Sequence, residues 1–218
     1  MRFSHTSQES SDVQFVMPFV DERFDTIHRL LRQQNLTVIP GEINSQVENS
    51  KAYRESAQII TRTIPHEAGH AIIGLALDAG NVLEWIAIYV FRDGEPGGGC
   101  KWGEKPAPKE HQWMSLAGGM AGEKLQYGDF LAGSARIDKA DLTRKGFDST
   151  KLPELITRCS EVIQKHESAW KEIQQLLYER TVSDLNDRID AIRQGDVDVG
   201  VVTGQEARDI FAGKAITR

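Results

Sequence analysis

His66-Glu67-Ala68-Gly69-His70 runs directly into Ala71-Ile72-Ile73-Gly74-Leu75-Ala76-Leu77, a stretch without a single charged residue. So apolar a run reads as a buried helix, and the fold must therefore carry two histidines and a glutamate at the edge of its core. Residues four apart on a helix lie one above the other on the same face. His66 and His70 can thus offer two imidazole nitrogens to one metal ion, while Glu67 sits at the edge of that face, within reach of a water but not of the metal. This is the arrangement that zinc hydrolysis requires: two His ligands, a third ligand from elsewhere, an open position, and a carboxylate base. Gly69 adds to it. A glycine inside a helix costs about 1 kcal/mol relative to Ala, and it commonly marks close approach by another element.

The whole chain has 218 residues, a net charge of -6, 39% hydrophobic and 27% charged residues, as expected of a globular protein with a substantial core. An acidic balance argues against nucleic acid as a partner. Cys100 and Cys159 are too few and too far apart for a disulfide framework or a zinc ribbon, so free or buried thiols are expected. The polar start of the chain lacks the apolar core of a signal peptide, and the run from Val82 to Phe91 is interrupted by Glu84 and too short to span a bilayer. These features predict a cytoplasmic protein without a membrane segment.

Apolar spacing predicts a helix over 21–34, an extended piece at 36–41 ended by Pro40-Gly41, a polar loop over 42–50, and a helix from Lys51 to Thr61. Pro65 stands just before the first histidine, so the metal helix either starts there or kinks there. Asp78 to Asn81 suits a helix stop. Val82 to Phe91 reads as a strand, Asp93 to Gly99 as a turn, and Cys100-Lys101-Trp102 as a returning strand. A helix follows over His111 to Tyr127, with a centre of small residues at Ala117-Gly118-Gly119-Met120-Ala121-Gly122 that is stable only when packed tightly. Asp138 to Lys145 opens another helix. Leu152 to Ile192 is helical with a break expected near Thr181 to Asp184, then a turn at 194–196. Thr203-Gly204-Gln205-Glu206 is a capping-box signature for a last short helix.

The third ligand is not fixed by chemistry alone, because Glu123, Asp129, Asp138 and Asp141 all lie downstream. The order of motifs says more. His66 to Ala71, the ribbon, and Leu116-Ala117-Gly118-Gly119-Met120-Ala121-Gly122-Glu123-Lys124-Leu125-Gln126-Tyr127-Gly128 together resemble the peptidase domain of the FtsH-type zinc proteases, over roughly residues 55–211. That family carries H-E-A-G-H-A, then G-G-x-A-A-E-x-L-x-x-G, then a G-A-S-x-D-L segment whose Asp is the third ligand. The resemblance implies a mainly α fold, a helical array with a small β-hairpin at about 82–103. It implies zinc held by His66, His70 and Asp141, with Glu67 as catalytic base. Asp138, one helical turn away, is the rival, since Gly133 to Arg144 is longer than the family's segment and Asp141-Leu142-x-Arg144 matches it best.

No nucleotide-binding loop of the form G-x-x-x-x-G-K-[ST] is present. The expected function is therefore a zinc-dependent endopeptidase acting on unfolded or extended polypeptides without an ATPase of its own, and capable of forming a homo-oligomer. The alternative is a non-catalytic interaction module that keeps the metal-site fold. Residues 1–50 fall outside the resemblance and are expected to form an extension with one helix, and residues 51–218 the metallopeptidase-like domain.

Overall fold

A computed structural model describes residues 22–33, 46–77, 82–90, 96–103, 107–187 and 197–216. The chain is mainly helical with one small antiparallel sheet, as the sequence predicts. Helix α1 (Glu22–Gln33) is followed by the long α2 (Gln46–Ala76), the strands β1 (Leu83–Val90) and β2 (Pro96–Trp102), α3 (Lys109–Tyr127) and α4 (Ala135–Arg144). A single 3-10 turn (Ser149–Lys151) leads into α5 (Leu152–Lys165), then α6 (Glu167–Asp187), β3 (Val197–Thr203) and α7 (Gly204–Phe211). The expected ribbon gains a third strand: the order is β2-β1-β3, both pairs antiparallel, so β2 and β3 are edges. The pieces predicted at 36–41, 78–81 and 194–196 lie outside the described residues, as does the first part of the turn expected over Asp93 to Gly99; its Pro96 to Gly99 belong to β2, which starts four residues before the expected Cys100.

Helix α2 is the axis of the molecule. It packs against α1, α3, α6 and both strands of the ribbon, and its Ile60, Ile64, Ala68, Ile72 and Ile73 are fully buried. The helix neither starts nor stops at Pro65, which sits well inside it. Proline supplies no N–H to the carbonyl one turn back, here that of Thr61. The Tyr127 hydroxyl donates to that carbonyl instead, at 3.4 Å. The polar stretch expected as a loop up to residue 50 is helical from Gln46.

The division at residue 50 does not describe the fold, because it falls inside α2. Ile27, Leu30 and Leu31 of α1 belong to the same buried cluster as Ile60 and Ile64 of α2, with Ile173 and Leu177 of α6. The break expected near Thr181 also lies elsewhere. The helix divides at His166, whose N–H bonds the Ile163 carbonyl at 3.0 Å and whose ring lies on Phe211. Thr181 is fully buried within α6, its hydroxyl bonded to the Leu177 carbonyl at 2.7 Å. The capping box that opens α7 is formed in both directions between Thr203 and Glu206. No helix among the described residues is long and apolar enough to cross a membrane, and Cys100 and Cys159 are free thiols.

Candidate metal centre

Two stripes of residues at four-residue spacing face each other across α2 and α3. On α2 they are Arg62, His66 and His70; on α3, running the other way, Glu123, Gly119 and Ser115. Backbone contact brings them this close. A methyl group on Gly69 would run into the Gly118 carbonyl oxygen, and one on Gly122 into the Pro65 carbonyl oxygen. The weak helix former Gly-Gly in the middle of α3 is thus required by packing, as the small-residue centre implies.

Each histidine is pinned at Nδ1. His66 Nδ1 lies 2.8 Å from Glu123 Oε1, and His70 Nδ1 lies 2.6 Å from the Ser115 carbonyl oxygen. A carbonyl only accepts, so His70 carries its proton on Nδ1, and the ionised Glu123 sets the same tautomer on His66. Both Nε2 atoms are then left facing inward, and both face one atom: Asp138 Oδ2, at 3.0 Å from His66 and 3.4 Å from His70. His66, His70, Glu123 and Asp138 are each at most 9% exposed as whole residues. Outward-set tautomers supported by a carboxylate and a carbonyl, with two Nε2 atoms and a carboxylate converging, form the donor set of a metal site. Gly119 completes the cradle, because a methyl group there would collide with both Nε2 atoms. The buried group His66, Glu67 and His70 can hold a metal ion, their ligand atoms all lying within 4.8 Å of one another.

The third ligand expected at Asp141 is not at the site. Ala135, Asp138 and Leu142 form the buried face of α4. Asp141 points about 60° further round, three residues on at about 100° each. There it pairs with Arg144 at 2.7 Å, at the surface. Asp138 is the carboxylate the fold delivers. Glu123 and Asp129, the other candidates, serve differently: Glu123 orients His66, and Asp129 pairs with Arg62. Arg62 and Ser115 were not anticipated, although Arg62 stands four residues before His66 and so on the same helical face. Of the other described histidines, His28 stacks on Phe24, His166 lies on Phe211, and His111 sits in the first turn of α3, away from the site.

Charge explains the strength of the arrangement. Burial pulls the His66 pKa down, but Asp138 and Glu123 bonded to its two nitrogens, with Glu67 close by, outweigh burial and push it up to about 10. Burial would raise Asp138, yet His70 and His66 hold it well below the usual carboxylate range. The site is thus built to carry positive charge between two nitrogens and a carboxylate. Glu67 is the exception: burial raises its pKa against the pull of His70 and His66. Strand β2 roofs it. A methyl group on Gly98 would come within 2.7 Å of Glu67 Oε1, and the Cys100 thiol lies 3.6 Å from Oε2.

Compared with known protein families and curated proteins, the chain matches no family model and no curated relative.

Two outcomes follow from this geometry. If the group holds a metal, Gly119→Ala should weaken binding of added zinc on the order of 10- to 100-fold, the range seen when the support of metal ligands is disturbed. Its melting temperature should fall as well, because the added methyl has no room against the two buried, pinned imidazoles; chelator competition and circular dichroism measure the two. The second is a pH dependence. His66 has its folded pKa raised from 6.5 to about 10, so its pairing stabilises the chelator-treated protein fully below 6.5 and ceases to do so as pH rises toward 10. A metal ion held by the histidines has to displace that proton, so affinity for added zinc should climb across the same interval. Thermal melts and zinc titrations at pH steps check both signs.

Proposed function

We propose that this protein is a zinc-dependent endopeptidase, in which His66, His70 and Asp138 hold the metal and Glu67 is the catalytic base. The observation that carries the reading is the convergence of two tautomer-locked Nε2 atoms on Asp138 Oδ2, with a buried glutamate one residue from the first histidine. A purely structural site has no use for Glu67. The resemblance to the FtsH-type peptidase domain supports the same reading, with the third-ligand role moved from Asp141 to Asp138.

Zinc suits a set of two imidazoles and one carboxylate, and when bound it supplies Lewis acidity that polarises a peptide carbonyl and brings the pKa of a water toward neutrality. The chain supplies the rest. Glu67, its pKa raised by burial toward the working range of a general base, takes a proton from the water as oxygen bonds to the carbonyl carbon. It returns that proton to the amine nitrogen as the C–N bond breaks. Glu123 and Ser115 keep the imidazoles fixed throughout, so no ligand reorganises during the reaction.

The substrate class follows from β2. It is an edge strand lying directly over Glu67, and its Gly97-Gly98-Gly99 presents backbone without side chains. An extended polypeptide can add to such an edge through main-chain hydrogen bonds and so bring a peptide bond to the base. Folded proteins cannot present a free strand in this way, so unfolded or extended chains are the substrates.

Glu67→Gln keeps the shape of the side chain and removes the base. Casein hydrolysis by the zinc-loaded protein should fall by about 10²- to 10⁴-fold, with zinc content unchanged. Hydrolysis at the unmodified rate in the purified variant would refute the mechanism.

A further inference from the structure

The segment between α3 and α4, residues 128–134, carries Asp138 into the site, and four contacts hold it to α2 and α3. Glu123, completely buried, accepts four hydrogen bonds, two on each oxygen. Oε1 receives His66 Nδ1 and the Ser134 hydroxyl. Oε2 receives Arg62 Nε at 3.1 Å and the Leu131 N–H at 3.0 Å. Arg62 in turn reaches Asp129 with its other nitrogen, both at the side chain and at the backbone carbonyl, the latter at 3.1 Å. Its guanidinium lies 4.7 Å above the Tyr127 ring. One buried ion pair therefore touches a histidine ligand on one side and three residues of the connecting segment on the other.

Resting on the metal site proposed above, we infer that Arg62 is a positioning residue for the third ligand: it fastens the 128–134 segment to the histidine helix and so fixes Asp138 opposite both Nε2 atoms. The guanidinium is suited to this because its planar fork donates in two directions at once, to Glu123 and to Asp129, which a lysine cannot do. The link ends at the surface. The Asp129 side chain is 66% exposed while that of Arg62 is 9% exposed, so a contact at the edge of the protein is joined to the metal ligand inside it. Ser134, directly before α4, is bonded to both Glu123 and the Leu131 carbonyl, which makes the start of α4 part of the same rigid unit.

The test is zinc affinity by chelator competition on the full chain, with the absorption spectrum of the cobalt-substituted protein as a second readout. Arg62→Met should weaken zinc about 10- to 100-fold and shift the cobalt spectrum toward that of Asp138→Asn. Arg62→Lys, which keeps the buried charge and so guards against loss of folding, should fall between Arg62→Met and the unmodified protein. Asp129→Ala should lose less than Arg62→Met, since the backbone carbonyl at 129 still accepts. Combined with Arg62→Met it should add nothing, because the two act through one contact. Arg180→Met removes an ion pair with Glu206 remote from the centre; it should lower the melting temperature and leave zinc affinity alone. Unchanged affinity and an unchanged cobalt spectrum in Arg62→Met and Arg62→Lys would overturn the inference while leaving the metal site standing. Absence of zinc binding in the unmodified protein would overturn both.

Discussion

Where α2 and α3 cross, the carbonyl of Gly118 occupies the space in which a Gly69 side chain would begin, and the carbonyl of Pro65 does the same at Gly122. No pair of helices with ordinary side chains at these positions comes so close. The contact sets the metal centre because it fixes which α3 residues meet which histidine nitrogens: Ser115 meets His70, Gly119 lies beneath both Nε2 atoms, and Glu123 meets His66. A shift of α3 along α2 by one residue would break all three at once. Interiors packed this densely resist such a shift, so the three pairings are held together.

Electrostatics then selects what the site accepts. Glu123 and Asp138 are both held ionised in the interior by their partners, and Arg62 balances one of them. The remaining negative charge favours a cation at the Nε2 atoms, which a proton on the histidine pair supplies and which, under the proposed function, a divalent metal ion would replace. Glu67 stands apart from this balance, with burial favouring its neutral form. The same environment favours the ionised form of two carboxylates and the neutral form of a third.

Much of this was legible in the residues. H-E-x-x-H placed His66, Glu67 and His70 on one helical face, and the run of small residues at 117–122 announced the close crossing. The mainly α fold with a small ribbon followed from the change of period at Val82, and the last helix from its capping box. What failed was decided by tertiary contacts. Asp138 and Asp141 lie one turn apart, and only the burial of Ala135 and Leu142 against α3 turns Asp138 inward. Pro65 leaves open a helix start or a longer helix running through it, and the sequence cannot choose because the hydrogen bond that replaces its missing N–H comes from Tyr127, over sixty residues away. The break at His166 carries no proline or glycine to mark it, whereas β3 does alternate, with Val197, Val199 and Val201 set against Asp198 and Gly200, and that strand signal was not read. Glu123 was recognised as a candidate ligand, but its role as the support of His66 depends on which nitrogen it meets. That is a matter of geometry, not of spacing.

Crystallography of the zinc-soaked protein, with data collected at the zinc absorption edge, tests the central claim most directly. The account predicts one anomalous peak bound by His66 Nε2, His70 Nε2 and an Asp138 oxygen, with Asp141 still paired to Arg144. A peak ligated by Asp141, a peak away from the two histidines, or no peak in zinc-saturated crystals would contradict it.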